Sequence, residues 1–293
     1  MSSDATREGR ASGRRSLFGV VLGAPMLIAQ VLLFVAPLGF LVMMTFWSVR
    51  NFTLSPDFTL ANWGKVLSAS YFWDIYLRTL LYALLAAAIT SLVGFPGAFY
   101  LAYRASAGVR RAILFLLITP YFTSYLVRIY SWKILLTDQG LINLALGGVG
   151  LGPLRMYNNL FGTMVGYVTL CFPLVLLIQL ISLSNVDRRL IEAAHNLGCG
   201  RLRTVFAVVI PSAKVGLVLA ATFAFILSFG DFVSPTLLGG SKPPVLSIFM
   251  VDTVRSGSDW PRASVVAMVM VATLLAAGLG ALKLAYGRRG EAR

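Results

Sequence analysis

The apolar residues of this chain gather in six long runs, separated by polar stretches rich in Gly, Pro and Asn. The runs are Ser16–Val49, Thr79–Tyr103, about Ala112–Leu136, about Phe161–Leu183, Val215–Leu238 and about Ala263–Tyr286. Each reaches the length of about 20 residues that carries an α-helix across a bilayer. The first two are free of charge, the third carries Arg128 and Lys133 near its end, and Asp231 interrupts the fifth. The pattern predicts an all-α polytopic membrane protein with six transmembrane helices. The first run is too long for the apolar core of a cleaved signal peptide, about 7–15 residues, and no small-x-small site follows a short one. It reads as a retained span.

Composition sharpens the picture. Of 293 residues, 58% are hydrophobic and only 12% charged, about half the charged share of a soluble domain. Mean hydropathy is +0.81. A soluble core of this size cannot hide that much apolar surface, so a soluble enzyme is excluded. The net charge of +14 would suggest nucleic acid in a soluble chain. Here no folded basic domain remains outside the spans, and basic residues beside spans act as topology signals. Nucleic acid is therefore not an expected partner; the lipid membrane is.

Six spans put both termini on one side. That side collects Arg7, Arg10, Arg14 and Arg15, then Arg104, Arg110 and Arg111. It also holds Arg188, Arg189, Arg201, Arg203 and Lys214 between spans four and five, and Lys283, Arg288, Arg289 and Arg293 at the end. Excess Lys and Arg mark the cytoplasmic side. The expected layout is a disordered cytoplasmic tail over 1–15, a six-span membrane domain over 16–286 and a cytoplasmic tail over 287–293. The outer loops, about Ser48–Arg78, Thr137–Leu160 and Gly239–Arg262, are too short for a folded domain. Cys171 lies in an apolar run and Cys199 in a basic loop, without CxxC or histidine ligand spacing, so neither a metal site nor a disulfide is expected.

The segment between spans four and five, about residues 184–213, is the most informative. Asp187 is placed to cap a helix. Leu190, Ala193, Ala194 and Leu197 fall at helical spacing on one face. Gly198 and Gly200 permit a sharp turn at positive φ. A second helix follows with Leu202, Val205, Phe206 and Val209 on one face, stopping at Pro211, and Arg201 and Arg203 hold it at the membrane surface. Two rigid helices lying there can carry a push from a partner into the spans. A plain amphipathic connector has the same periodicity.

Glu192-Ala193-Ala194, three residues, Gly198, nine residues, then Val208-x-Ile210-Pro211 resembles the EAA loop of ABC importer permeases, EAA-x3-G-x9-I-x-L-P. Only Val for Ile and Ile for Leu depart from it, both apolar exchanges. The resemblance implies a type I ABC importer permease in a bacterial inner membrane. In that family this loop is a coupling helix docked in a groove of the ATPase subunit. Carried over, Glu192, Ala193 and Ala194 enter the groove, Leu197 and Gly200 flank the bend that Gly198 makes, and Pro211 closes the motif. The implied partners are an ATP-binding subunit dimer, a second permease subunit and a periplasmic substrate-binding protein. This chain has no G-x-x-x-x-G-K-[ST] P-loop, so no cofactor is expected on it; ATP and Mg belong to the partner ATPase subunits.

A second resemblance runs from about Leu17 to Tyr286. Thr119 through Leu136, Gly140-Leu141-Ile142-Asn143, Gly230-Asp231-Phe232-Val233, Leu238-Gly239-Gly240 and Asp259-Trp260-Pro261 are similar to spermidine/putrescine permease subunits. The implied cargo is a polyamine. Relatives of this pattern that carry ferric iron, an opine or an aminophosphonate form the alternative.

A passage for a flexible polycation should offer isolated acids and aromatic faces. Asp231 is the one acid within a predicted span, and an intramembrane acid is a functional candidate. A structural pairing, for example with Arg128, is the competing reading. Tyr121, Phe122, Tyr125, Tyr130 and Trp132 crowd the outer half of span three, as a pathway lining or as an interfacial belt. Arg128 and Lys133 either snorkel outward or meet the binding protein. Asp259-Trp260-Pro261 reads as the start signal of span six. Pro96 and Pro120 are expected to kink spans two and three, and His195 to be solvated or in the coupling groove. A membrane enzyme would need clustered acids, histidines or metal ligands, and a secondary transporter an inverted repeat; neither pattern is seen.

Overall fold

The computed structural model describes residues 24–50 and 53–287. The predicted tail over 1–15, the start of the first run and the chain beyond Gly287 lie outside the described residues. Within the described residues the regular structure is helical apart from one hairpin. The helices are α1 (Ala24–Met44), α2 (Ala61–Leu67), α3 (Ser70–Tyr103), α4 (Ala107–Ile118), α5 (Tyr125–Leu136), α6 (Leu141–Gly148) and α7 (Leu160–Ser184). They continue as α8 (Arg188–Asn196), α9 (Arg201–Ser212), α10 (Lys214–Gly230), α11 (Val233–Leu237), α12 (Leu246–Gly257) and α13 (Trp260–Tyr286). Between α1 and α2, β1 (Ser48–Arg50) and β2 (Thr53–Ser55) pair antiparallel with Val49 opposite Leu54.

Four of these helices, α1, α3, α7 and α13, are long and apolar enough to cross a membrane. Two bent pairs bring the number to six if each pair is one span. The third run is therefore not the single helix its hydropathy predicts. Its axis turns by 99° between Ala107–Phe122 and Tyr125–Gly148. Pro120 lacks an N–H, so the helix tightens into a 3-10 turn over Thr119–Phe122 and gives way to extended backbone at Thr123 and Ser124. The carbonyl set free at Pro120 accepts from the Thr123 N–H at 3.2 Å, the Thr123 hydroxyl at 2.9 Å and the Arg128 guanidinium. Arg128 also donates to the Thr169 carbonyl at 3.5 Å. It thus turns inward onto backbone rather than snorkelling outward. Pro96 behaves differently: it sits inside the unbroken 34 residues of α3, as Pro173 sits inside α7.

The second run is also longer than its apolar stretch. It begins at Ser70 rather than Thr79, so α3 spans about 50 Å at about 1.5 Å per residue, beyond the thickness of a hydrocarbon core. The extra turns bury Phe72 and Ile75. The ends of the short elements are held by side chains. Asn62 donates to the carbonyls of Thr45 and Trp47 at 2.9 and 2.7 Å, satisfying acceptors released at the end of α1. Asn143 does the same for the loop around α6, donating to Thr137 and Leu154 carbonyls and accepting from the Leu154 N–H at 2.8 Å.

The core is a bundle of α3, α7 and α10, with α13 packed on α10. Small residues let these helices approach: Ala83, Ala87, Ala220 and Ala224 are buried beside Phe72, Phe225 and Phe229. Close packing of small residues is how membrane helices associate without a hydrophobic drive between them. A second cluster, Ala98, Leu101, Leu176, Leu180, Leu183, Val186 and Val209, joins the far ends of α3 and α7 to the α8–α9 loop. A third, Ile129, Leu136, Met156 and Leu238, holds α5 at the opposite end.

Candidate functional site

The α8–α9 loop is built by three local devices. Asp187 caps α8 by accepting from the Arg189 N–H at 2.9 Å. The helix ends in a Schellman turn: the Cys199 N–H donates to the Ala194 carbonyl at 3.0 Å and the Gly198 N–H to the His195 carbonyl at 2.9 Å. That turn needs a left-handed residue, and Gly198 supplies φ +78°. Gly200 does not share the task. It begins α9 at φ −67°, an ordinary value, so the bend rests on one glycine instead of two.

The faces of both helices differ from their predicted ones. On α8 only Ala194 is buried, with Ile191 packed beside it, while Leu190, Glu192, Ala193 and His195 are exposed. Leu197 is 85% exposed. The short helix touches the bundle along one narrow line, and three of its four predicted inward residues face out. On α9 Thr204 and Val209 are buried and Leu202 and Phe206 stand exposed. Pro211 does not end this helix. A wide π turn over Val205–Val209 precedes it, and the chain bends by 76° two residues later, at Ala213. There Ser182 of α7 donates to the Ala213 carbonyl at 2.9 Å. A side chain at Gly216 would collide with Ser182, so α7 and the start of α10 meet without space for one.

The second candidate region lies at the other end of the bundle. The fifth run breaks at Asp231, where α10 stops at Gly230 and the backbone becomes extended. Asp231 is only 8% exposed. Its carboxyl group accepts from the Tyr125 hydroxyl at 2.6 Å, the Ser234 hydroxyl at 2.5 Å, the Val233 N–H at 2.9 Å and the Ser234 N–H at 3.3 Å. Its own carbonyl accepts from Ser247 of α12 at 3.0 Å. One residue thus ties α5, α10, α11 and α12 together. It is not paired with Arg128, which is engaged at Pro120 and Thr169. Around this junction the backbones are close: a Cβ on Gly166 would lie 2.5 Å from Ser234, and one on Gly162 2.5 Å from the Leu238 carbonyl. The start of α12 is anchored to α3 by the Leu246 N–H donating to Thr79 at 2.9 Å.

Of the five predicted aromatic residues, Tyr125 alone joins Asp231. Tyr121 and Tyr130 are exposed, and Phe122 is 85% exposed. Trp132 lines an apolar groove of about 590 Å³ with Ile89, Phe161, Met164 and Val168. Lys133 lies 5.9 and 5.8 Å from the ring centres of Tyr130 and Tyr157. The aromatic crowd therefore divides between one inward residue, one groove wall and an outward face. Asp259 accepts from the Arg262 N–H at 3.1 Å and starts α13, with Pro261 in its first turn. Sequence reasoning missed Ser234 and Ser247. The stretch Asp231-Phe232-Val233-Ser234-Pro235 carried a signal for the first: an acid two and three residues before backbone donors is a turn and cap pattern. Nothing local pointed to Ser247, sixteen residues away.

Comparison with known proteins gives a consistent answer. Residues 92–285 match the family described as binding-protein-dependent transport system inner membrane component. Over 233 residues the chain is 29% identical to the spermidine/putrescine transport system permease protein PotB of Escherichia coli, across 79% of this chain and 82% of that protein. The corresponding protein of Salmonella typhimurium is 31% identical over 206 residues, covering 70% and 71% of the two chains. The inner membrane ABC transporter permease protein YdcU of Escherichia coli is 27% identical over 259 residues. In fold, the chain matches one in the crystal structure of a bacterial alginate ABC transporter in complex with alginate pentasaccharide-bound periplasmic protein. The TM-score is 0.72 at 14% identity, over 94% of this chain and 96% of that one.

Proposed function

The chain belongs to the family of binding-protein-dependent transport system inner membrane components, and we propose, from its likeness to spermidine/putrescine permeases, that it imports polyamines as one of two permeases around a shared pathway. At the coarser level it is a multi-pass inner-membrane permease subunit of an ABC importer, working with ATPase and substrate-binding-protein partners. Six spans with both termini cytoplasmic are part of the proposal: beside the four long apolar helices, the bent third run and α10 are read as the remaining crossings, with α9 outside the span, and the placement of Lys and Arg supports the orientation. The polyamine cargo is supported by the likeness to permeases named for spermidine and putrescine.

The observation that carries the coupling role is the α8–α9 loop. The EAA spacing falls on a helix whose Glu192, Ala193 and Leu197 are exposed while Ala194 and Ile191 seat it on the bundle. A partner that grips the exposed side moves the seat as well. The elbow at Ala213 then passes the movement into α10, because Ser182 and Gly216 leave no slack there. In the mechanism, the binding protein delivers cargo to the outer loops and ATP-driven closure of the ATPase dimer pushes the loop. Both bent spans respond, and hydrolysis resets them. ATP and Mg are handled by the partner subunits; this chain transmits force and shapes the path.

Along the path, Asp231 and Tyr125 are the residues of interest. Two of the four donors to Asp231 are hydroxyls, and the carboxyl group can exchange these two for a cargo ammonium when the bundle opens. A purely structural junction is the second reading, favoured by the four donors that Asp231 already receives. Asp231→Asn separates them: a loss of uptake exceeding the loss of assembled complex supports the cargo role, and equal losses make the residue structural.

The test of the whole reading is uptake into liposomes by the complex reconstituted with its own ATPase and binding protein. Labelled spermidine and putrescine are followed, with ferric iron, an opine and an aminophosphonate as competitors. Saturable, ATP-dependent polyamine uptake is expected. Coupled ATPase activity without polyamine uptake keeps the permease and discards the polyamine.

A further inference from the structure

Among the described residues, none covers the outward side of α9. Leu202 is 77% and Phe206 68% exposed, one turn apart, while Thr204 and Val209 fill the inward side. Exposed leucine and phenylalanine at this spacing form an apolar strip, distinct from the side that seats the helix on the bundle. Arg201 and Arg203 flank the strip and are also exposed. No acid occurs anywhere from Leu197 to Lys214, so the segment is uniformly basic. The orientation adds a third fact: α9 meets the following helix α10 at 76°. If α10 runs across the bilayer, α9 lies nearly in its plane.

We propose that α9 is an interfacial helix. Leu202 and Phe206 insert into the cytoplasmic leaflet, Arg201 and Arg203 bind anionic phospholipid headgroups, and coupling through the α8–α9 loop depends on that leaflet. This rests on the cytoplasmic placement of the loop given above. An apolar side with basic flanks is the composition that lies in a membrane interface, drawn by buried apolar area and by anionic lipid together. Basic residues near such a surface gain from its negative potential, and salt screens the gain. The protein surface engaged by the ATPase is then the exposed side of α8, around Glu192, Ala193 and Leu197, while α9 is held from the lipid side. A helix anchored on lipid at one edge gives the push on α8 a fixed surface to work against.

The test uses the full complex in phosphatidylcholine vesicles with and without phosphatidylglycerol. A nitroxide is placed by Phe206→Cys in a Cys199→Ser background, and its collision rates with oxygen and with a water-soluble nickel chelate are compared. Oxygen should dominate, and should still do so with the ATPase bound. A second label at Leu197→Cys should lose access to both reagents on ATPase binding. Phosphatidylglycerol should raise coupled ATPase activity several-fold. Arg201→Gln with Arg203→Gln should remove that rise while leaving the rate in pure phosphatidylcholine unchanged, and high salt should imitate the double variant. Nickel access at position 206 overturns the proposal, as does shielding from oxygen that appears only when the ATPase or sister permease assembles. An unchanged lipid response in the arginine variant overturns it too. Reaction of the position-206 thiol with an impermeant maleimide from the outer side instead indicts the topology on which the proposal rests.

Discussion

The α8–α9 loop and the Asp231 junction sit at opposite ends of one bundle and are held by different physics. The loop is exposed, joined to the bundle by Ala194 and Ile191, and shaped by backbone geometry at Gly198. The junction is buried, joined by four donors on one carboxyl group, and shaped by glycines that leave no space between α7 and α11. A thin contact with a defined bend suits a surface that a partner must grip and move. A dense polar knot suits a place where a broken helix must keep its free backbone groups satisfied in a medium without water. The contrast predicts different failures: the junction should lose stability when disturbed, and the loop should lose transmission.

The largest effect is expected at Asp231→Ala. The Tyr125 and Ser234 hydroxyls keep each other as partners at 2.6 Å, but one O–H and the N–H groups of Val233 and Ser234 lose their acceptor, at about 1–3 kcal/mol for each buried group left unpaired. Thermal unfolding in detergent should drop well below the parent, with little complex recovered. Tyr125→Phe, which removes one donor, should cost less, about 1.5–3 kcal/mol if the bond is to a charged carboxyl. A fully stable Asp231→Ala protein would dissolve the distinction between the two ends.

Gly166→Ala follows. The added methyl would sit 2.5 Å from Ser234, so α11 must shift; overpacking of this kind costs about 1–3 kcal/mol. Gly230→Ala is the control, since no described residue comes within 4 Å of a Cβ there. Unfolding temperatures of the two variants should separate clearly. Equal values would mean that the junction is looser than its distances imply.

At the loop the expected change is in transmission. Gly198→Val places a β-branched residue at φ +78°, a left-handed conformation that costs an L residue about 1–2 kcal/mol, although space around the position is open. The Schellman turn should reopen and α8 should swing. Uptake should fall at least tenfold while membrane insertion and basal ATPase activity persist. Normal uptake would remove the loop from the coupling path.

These positions also mark how far the chain could be read beforehand. The spans were legible because bilayer crossing demands long apolar runs, and the loop because its spacing is local. The breaks were partly legible: Pro120 and Asp231 stood out, but hydropathy alone runs straight through both, since Thr123 and Phe232 are no more polar than many helical residues. The faces of α8 and α9 were not legible. Periodicity says that Leu190, Ala194 and Leu197 share a side, yet which residue touches the bundle depends on where Val186 and Val209 pack. Arg128 was misplaced for a similar reason. A charge inside an apolar run reads as a group seeking water, and its partner, the carbonyl freed at Pro120, exists only because the helix breaks.

The smallest predicted effect separates the two glycines of the loop. Sequence spacing treats Gly198 and Gly200 alike, as a flexible pair. Their backbones do not: Gly200 is at φ −67° and ψ 160°, in the position before the first turn of α9, with no described residue within 4 Å of a Cβ. That conformation is open to every residue, and serine is a better start to a helix than glycine by a few tenths of a kcal/mol. Gly200→Ser should therefore leave uptake unchanged and raise the unfolding temperature slightly, if at all. A loss of uptake approaching that of Gly198→Val would mean that the turn needs both glycines, as a hinge that opens during the cycle and not as a fixed bend. The same pair of variants then measures whether the loop transmits as a rigid lever or a flexing joint.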